Sequence, residues 1–114
     1  MAVLEVPLLP NLPSAAAAEF HHDFMPRAAA LLDHGSQSLI LKFAAADHTH
    51  RAWRLAALQA LAREHAPARV NAIAGGNLAA IKAALSYLNA ADGVTGQYLQ
   101  LDDAGAGPVV LPSA

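Results

Sequence analysis

The side chains of this chain that could do chemistry are few, and most of them are histidines. His21, His22, His34, His48, His50 and His65 stand in 114 residues without a single cysteine. His48-Thr49-His50 follows Asp47, and on an extended backbone the two imidazoles could reach one cation. Asp23 follows His21-His22 in the same way. No third ligand is fixed by spacing, so the preferred reading is exposed histidines at helix ends, with His48 and His50 as the metal candidates. Serine, histidine and aspartate are all present, but no G-x-S-x-G turn exists to present a nucleophile. Tyr87 has Ala91, not lysine, one helical turn on. Lys42 ends an apolar run, where it reads as a strand-end cation reaching solvent. Trp53 reads as a core or interface residue.

The elements that must hold these residues follow from pattern. Pro7, Pro10 and Pro13 make residues 1–13 an extended arm. Ser14 is placed to cap a helix running toward His22. Asp23 is placed to cap a second that carries Pro26 in its first turn and stops at His34-Gly35. Ser38–Phe43, SLILKF, is a short apolar strand bounded by turn signals. Asp47 or Thr49 caps a helix from Arg51 to His65, which Pro67 closes. A second strand, Arg69–Ala74, leads through Gly75-Gly76 to a helix capped by Asn77 and running to Asn89. Its stripe is Leu78, Ile81, Leu85 and Leu88. A third strand is Gln97–Leu101. The order implies right-handed parallel crossovers. The predicted fold is therefore α/β: a small three-layer domain over residues 14–104, with a three-stranded parallel sheet, helices on its faces, and an irregular tail over 105–114.

Composition narrows the function classes. The formal charge is −2 and the seven Lys and Arg residues are scattered, which leaves no phosphate-tracking surface and no nucleic-acid partner. No apolar run has the length of a membrane span. MAVLEVPLLPNLP lacks the basic start of a signal peptide, and without cysteine there are no disulfides, so the expected compartment is the cytoplasm. The chain is 55 % hydrophobic, but alanine carries much of that share. The core must rest on leucine, isoleucine and valine together with Trp53, Phe20, Phe24 and Phe43.

Two separated segments carry a likeness. Leu61-Ala62-Arg63-Glu64-His65-Ala66-Pro67-Ala68-Arg69-Val70-Asn71-Ala72-Ile73-Ala74-Gly75-Gly76 resembles the stretch of short-chain dehydrogenase/reductases in which a helix ending LA.E.AP meets a strand IRVNAIAPG. Val94-Thr95-Gly96-Gln97-Tyr98-Leu99-Gln100-Leu101-Asp102 resembles that family's closing VTGQ.L.VDGG, with Asp103 and Ala104 where paired glycines would stand. The resemblance covers residues 35–104, the C-terminal half of the family's Rossmann-like architecture.

The departures are as informative. No glycine precedes Gly35, so the family's dinucleotide turn has no counterpart. Gly105-Ala106-Gly107 runs straight into Pro108, with no helix to receive a phosphate. The resemblance places the family's Tyr-x-x-x-Lys pair at Asp47 and Arg51. Asp47 cannot protonate a carbonyl as tyrosine does, and Arg51 replaces a compact ammonium by a guanidinium. The catalytic serine would fall near Phe43, where none occurs, and the substrate loop after Gly76 is nearly gone.

These losses together imply a degenerate, pseudoenzyme-like chain with no catalytic residues and no cofactor. What survives of the family is its assembly surface, over residues 15–34, 51–65 and 78–101. The expected function is a non-catalytic interaction or scaffold module, forming a homo-oligomer or pairing with a full-length short-chain reductase. Its interface residues would be Trp53, Leu55, Leu58, Leu61 and Tyr98. One alternative is a part of a split or heteromeric NAD(P)-dependent oxidoreductase. The other is a small ligand- or metal-binding domain using His48 and His50.

Overall fold

A computed structural model describes residues 1–102 of the chain; the expected tail over 105–114 and the end of the domain at 104 lie outside the described residues. The elements run β1 (Ala2–Glu5), α1 (Pro13–Asp23), α2 (Met25–Asp33), β2 (Ser38–Phe43), a short 3-10 turn (His48–His50), α3 (Arg51–Glu64), β3 (Arg69–Gly75), α4 (Leu78–Ala90) and β4 (Tyr98–Leu101). The sheet is parallel throughout, in the order β1-β2-β3-β4.

The sheet has four strands, not three. Ala2–Glu5, within the expected extended arm, pairs in register with Leu39–Lys42. Proline at positions 7 and 10 excludes a helix from the arm but leaves Ala-Val-Leu-Glu free to make a strand. The edge of SLILKF is thus covered by the chain itself, and among the described residues the two edge strands of the sheet are β1 and β4.

Alternation of side chains along the strands divides the core in two. Leu39, Leu41, Phe43, Val70, Ala72, Ala74 and Tyr98 face Phe20, Phe24, Ala28 and Leu32 of α1 and α2 and Ala57, Leu58 and Leu61 of α3. On the other face, Ile40, Ile73 and Leu101 meet Ala84 and Leu88 of α4, with Ile81 and Leu85 at the margin. The strand order advances in one direction while the last crossover uses the opposite face. The three crossovers therefore cannot share one hand, and the expectation of uniformly right-handed connections fails at one of them. Burial decides it: one face is filled by α1, α2 and α3, so the apolar stripe of α4 is buried on the other.

The helix boundaries follow local chemistry. Leu12, not Ser14, precedes α1, because Pro13 occupies its first turn with a φ already suited to the helix. Likewise Phe24, not Asp23, precedes α2, which carries Pro26 in its first turn. Asn77 caps α4 as expected, its side chain accepting from Ala80 N at 2.8 Å. Leu78 is exposed, and Ala80 takes the buried place in that turn. At Gly76, with φ +86°, an added Cβ would lie 2.8 Å from the Leu101 Cβ. Only glycine lets β3 turn into α4 this close to β4.

Among the described residues no helix is long and apolar enough to cross a membrane.

Candidate functional site

Ligands of open α/β sheets bind beyond the carboxyl ends of the strands. Here that end has a cavity of ≈ 140 Å³ between the loop after β1 (Leu8, Leu9, Pro10, Asn11) and the loop after β2 (Ala44, Ala45, Ala46, Asp47), with His50 and Arg54 behind it. The gap between β2 and β3 is closed. Gly75, with φ +73°, brings its backbone against Ala45, where a Cβ would sit 3.2 Å from the Ala45 Cβ.

Each polar residue of the cavity is held by a specific partner. Asp47 accepts from Thr49 N at 2.9 Å and from the Thr49 hydroxyl, which caps the 3-10 turn. These bonds, the side-chain one foremost, with smaller help from His50 and His48, hold its carboxyl below the usual aspartate range. His50 is buried and uses both ring nitrogens: Nδ1 accepts from Trp53 Nε1 at 3.0 Å, and Nε2 donates to Asn11 O at 2.9 Å. Arg54 is 4 % exposed. Its Nη1 donates to Ala44 O and to the Tyr98 hydroxyl, both at 3.0 Å, and its guanidinium lies 4.4 Å from the centre of the Phe43 ring. Its Nε is buried and has no hydrogen-bond partner among the described residues.

The structure sorts the sequence candidates. Asp47 lines the cavity, but as an ionised cap it has no proton to give. Arg51 does not line it; its guanidinium lies over the Tyr98 ring, 5.4 Å from the centroid. His50 has no free nitrogen for a metal, His48 is exposed, and among the described residues no group of three His, Cys, Asp or Glu could hold one. Of the two metal candidates, His50 is a core residue, buried against Asn11 and Trp53. Lys42 is half-buried and pairs across the strand with Glu5 at 3.3 Å.

Three of the expected interface residues lie in the core of the single chain. Leu58 is 0 % and Leu61 1 % exposed, both against the sheet, and Tyr98 is buried under α3. They have no surface to offer a partner. α1 and α2 share their face of the sheet, so its apolar surface is covered from within. Trp53 and Leu55 are half-buried; the Trp53 ring packs 5.5 Å from Phe20 and 5.8 Å from Phe43. Sequence reasoning missed Arg54. The signal was its place one turn after Arg51 on the helix's apolar side, between Ala57 and Leu58.

The residues present do not fit a dinucleotide. A pyrophosphate needs a glycine-rich turn ending at free helix N–H groups. The turn after β1 has no glycine, α1 begins with Pro13, which has no N–H, and the first turn of α4 is capped by Asn77.

A parallel sheet flanked by helices on both faces, with its cavity at the strand ends, places the chain in the Rossmann-like class of α/β proteins. More narrowly, the family model described as short chain dehydrogenase-like protein matches residues 4–101, and the chain belongs to that family. No curated protein and no solved structure matches it.

Proposed function

We propose that the chain is a non-catalytic, short-chain-dehydrogenase-like interaction module that self-associates or pairs with a complete reductase along β1. The observation that carries this reading is the parallel edge of β1, one of the two edge strands of the sheet, which pairs on one side only among the described residues. Val6 N donates to Lys42 O at 2.9 Å. By alternation the backbone groups of Leu4 and Val6 face β2, and those of Val3 and Glu5 face outward. Parallel strands are ordinarily found inside sheets, and an exposed edge is a template for another strand. Beside it runs a groove of ≈ 420 Å³ lined by Leu4, Arg27, Ala30, Leu31 and His34.

The same edge could receive the cofactor-bearing half of a split oxidoreductase. The two readings part at position 47, where an ionised cap replaces the family's acid. That difference supports the non-catalytic one.

Val3→Pro tests the reading. Proline there deletes an outward N–H but no β1–β2 bond, so the fold should survive. Light scattering at micromolar concentration should report a dimer or larger for the native chain and a monomer of similar melting temperature for the variant. A native chain that is monomeric, and that does not co-elute with a complete reductase encoded beside it, would overturn the proposal.

A further inference from the structure

We infer that Asp92-Gly93 is a site of spontaneous backbone modification, where the aspartyl peptide closes to a succinimide and reopens as isoaspartate. The inference does not depend on assembly along β1. The two residues form the middle of the turn Ala91–Val94, closed by Val94 N donating to Ala91 O at 3.1 Å. Both are exposed. Among the described residues, the Asp92 carboxylate has no hydrogen bond or ion pair and the Gly93 N–H has no acceptor. The two groups that must react are therefore adjacent in the chain, unpartnered and open to water. The glycine makes the pair reactive, because a side chain after the aspartate would crowd the ring as it closes. Nothing in the fold requires glycine there. Gly35, Gly75, Gly76 and Gly96 all have positive φ and Gly93 does not; a Cβ built on Gly93 meets nothing within 4 Å. By contrast, Asp23, Asp33 and Asp47 are each followed by phenylalanine or histidine, and each carboxylate has a partner.

In the first step the Gly93 nitrogen attacks Cγ of the protonated Asp92 carboxyl. The Cγ–OH bond breaks, the amide proton leaves with that hydroxyl as water, and a five-membered imide joins the two residues. Water then adds to one of the two imide carbonyls. Opening at the former backbone carbonyl leaves the chain running through Cγ, as isoaspartate; opening at Cγ restores aspartate. One water is lost and one regained, so no other reactant is needed. Isoaspartate adds one methylene to the main chain of a turn whose flanking carbonyls are committed. Ala91 O accepts from Arg69 Nη1 at 2.6 Å, and Val94 O accepts from Asn71 Nδ2 at 2.9 Å. The extra atom strains or releases these bonds, which tie the approach to β4 onto β3.

The full-length chain is incubated in mildly acidic buffer beside a peptide of residues 89–95, which supplies the rate without a fold. The imide is read by mass as a species lighter by one water. Isoaspartate is read by methylation with an isoaspartate-specific carboxyl methyltransferase and placed by electron-transfer fragmentation. It should accumulate at position 92 of the folded chain within about tenfold of the peptide rate, because an exposed turn opens for no more than about 1.4 kcal/mol. Positions 23, 33 and 47 should lag behind it. The modified fraction should melt several degrees below the unmodified chain. Gly93→Ala should suppress the product and leave the melting temperature of fresh protein unchanged or raised, since its Cβ has room and its φ is ordinary. Absence of isoaspartate at position 92, a rate slower than the peptide's by more than that factor, or equal modification of Gly93→Ala would each overturn the assignment. Equal melting of the modified and unmodified chains would overturn its effect on the turn.

Discussion

Asn71 offers the sharpest test of how the fold is held, because one fully buried side chain joins two segments. Its Oδ1 accepts from Gln97 N at 3.0 Å, and its Nδ2 donates to Val94 O at 2.9 Å. It is 0 % exposed. Around it, Thr95 Oγ1 accepts from Val70 N at 3.0 Å, and Gly96 N donates to Val70 O at 2.7 Å. The turn before β4 is thus fastened to β3 by the Asn71 side chain and by the Val70 backbone. Asn71→Leu keeps the shape but strands a donor and an acceptor. Each orphaned group costs about 1–3 kcal/mol, and the apolar burial of leucine returns about 1–2 kcal/mol. The net loss is centred on about 2.5 kcal/mol, or roughly 10–20 °C in melting temperature for a domain of this size. Asn71→Asp sharpens the argument. A protonated acid can still accept from Gln97 and donate to Val94, but a carboxylate faces Val94 O with no proton, at a position 0 % exposed. The carboxyl of that variant should titrate above the ordinary aspartate range. Its folded pKa is then above its unfolded one, so its stability relative to the native chain is best below the unfolded value. That relative stability falls as pH rises from there through the folded value, then levels off. Urea denaturation followed by Trp53 fluorescence, at pH 4 and pH 7, measures both variants. A leucine variant within about 0.5 kcal/mol of native, the spread of a neutral surface change, would refute the reasoning. So would an aspartate variant with no pH-dependent loss.

Phe20→Ala should destabilise by about 3–5 kcal/mol in the same assay, because Phe20 is 0 % exposed and its ring lies among Phe24, Phe43 and Trp53. Gly76→Ala forces an L side chain into φ +86° against Leu101, and should cost about 1–3 kcal/mol, read by thermal melting. Asp47→Ala should lower the melting temperature at neutral pH. Since Thr49 depresses the native carboxyl, that deficit should shrink as pH falls through the folded-state pKa and vanish below it.

What could be read from sequence was local. SLILKF became β2 with the expected boundaries, and Asn77 caps α4 through its side chain, because an apolar run between turn signals and an Asx cap are decided within a few residues. The two family-like segments were legible as motifs, and the structure supplies their reason. Arg69 Nη1 donates to Leu88 O and Ala91 O at the end of α4, and Asn71 holds the turn before β4. Asn71 thereby joins the two segments into one hydrogen-bonded unit. The first strand was hidden behind three prolines, and its four residues are too few for periodicity. Which face α4 would choose, and which leucines of α3 would be covered, depended on α1 and α2 sharing one side of the sheet. Arg54 was hidden because an arginine on an apolar face reads as a surface charge until its neighbours in space are known.

The positions that bear redox chemistry by family likeness do structural work in this chain. Asp47 closes the turn ahead of α3, and Arg51 lies over Tyr98. The backbone of Gly75 fills the gap between β2 and β3 that an open substrate loop would leave. Each change removes a reactive group or an opening and adds a contact. A polar opening at the strand ends lies on the β1 side, beside the buried Arg54, one turn beyond Arg51. Because the Arg54 guanidinium depends on Phe43, Ala44 and Tyr98 for its position, restoring the family's residues at 47 and 51 alone would leave the cavity's charge and shape in place. Asp47→Tyr with Arg51→Lys should therefore produce no reduction of a generic ketone with NADPH. Turnover by that double variant would mean that the strand ends can hold a hydride donor without a glycine-rich turn, and would count against the proposed non-catalytic role.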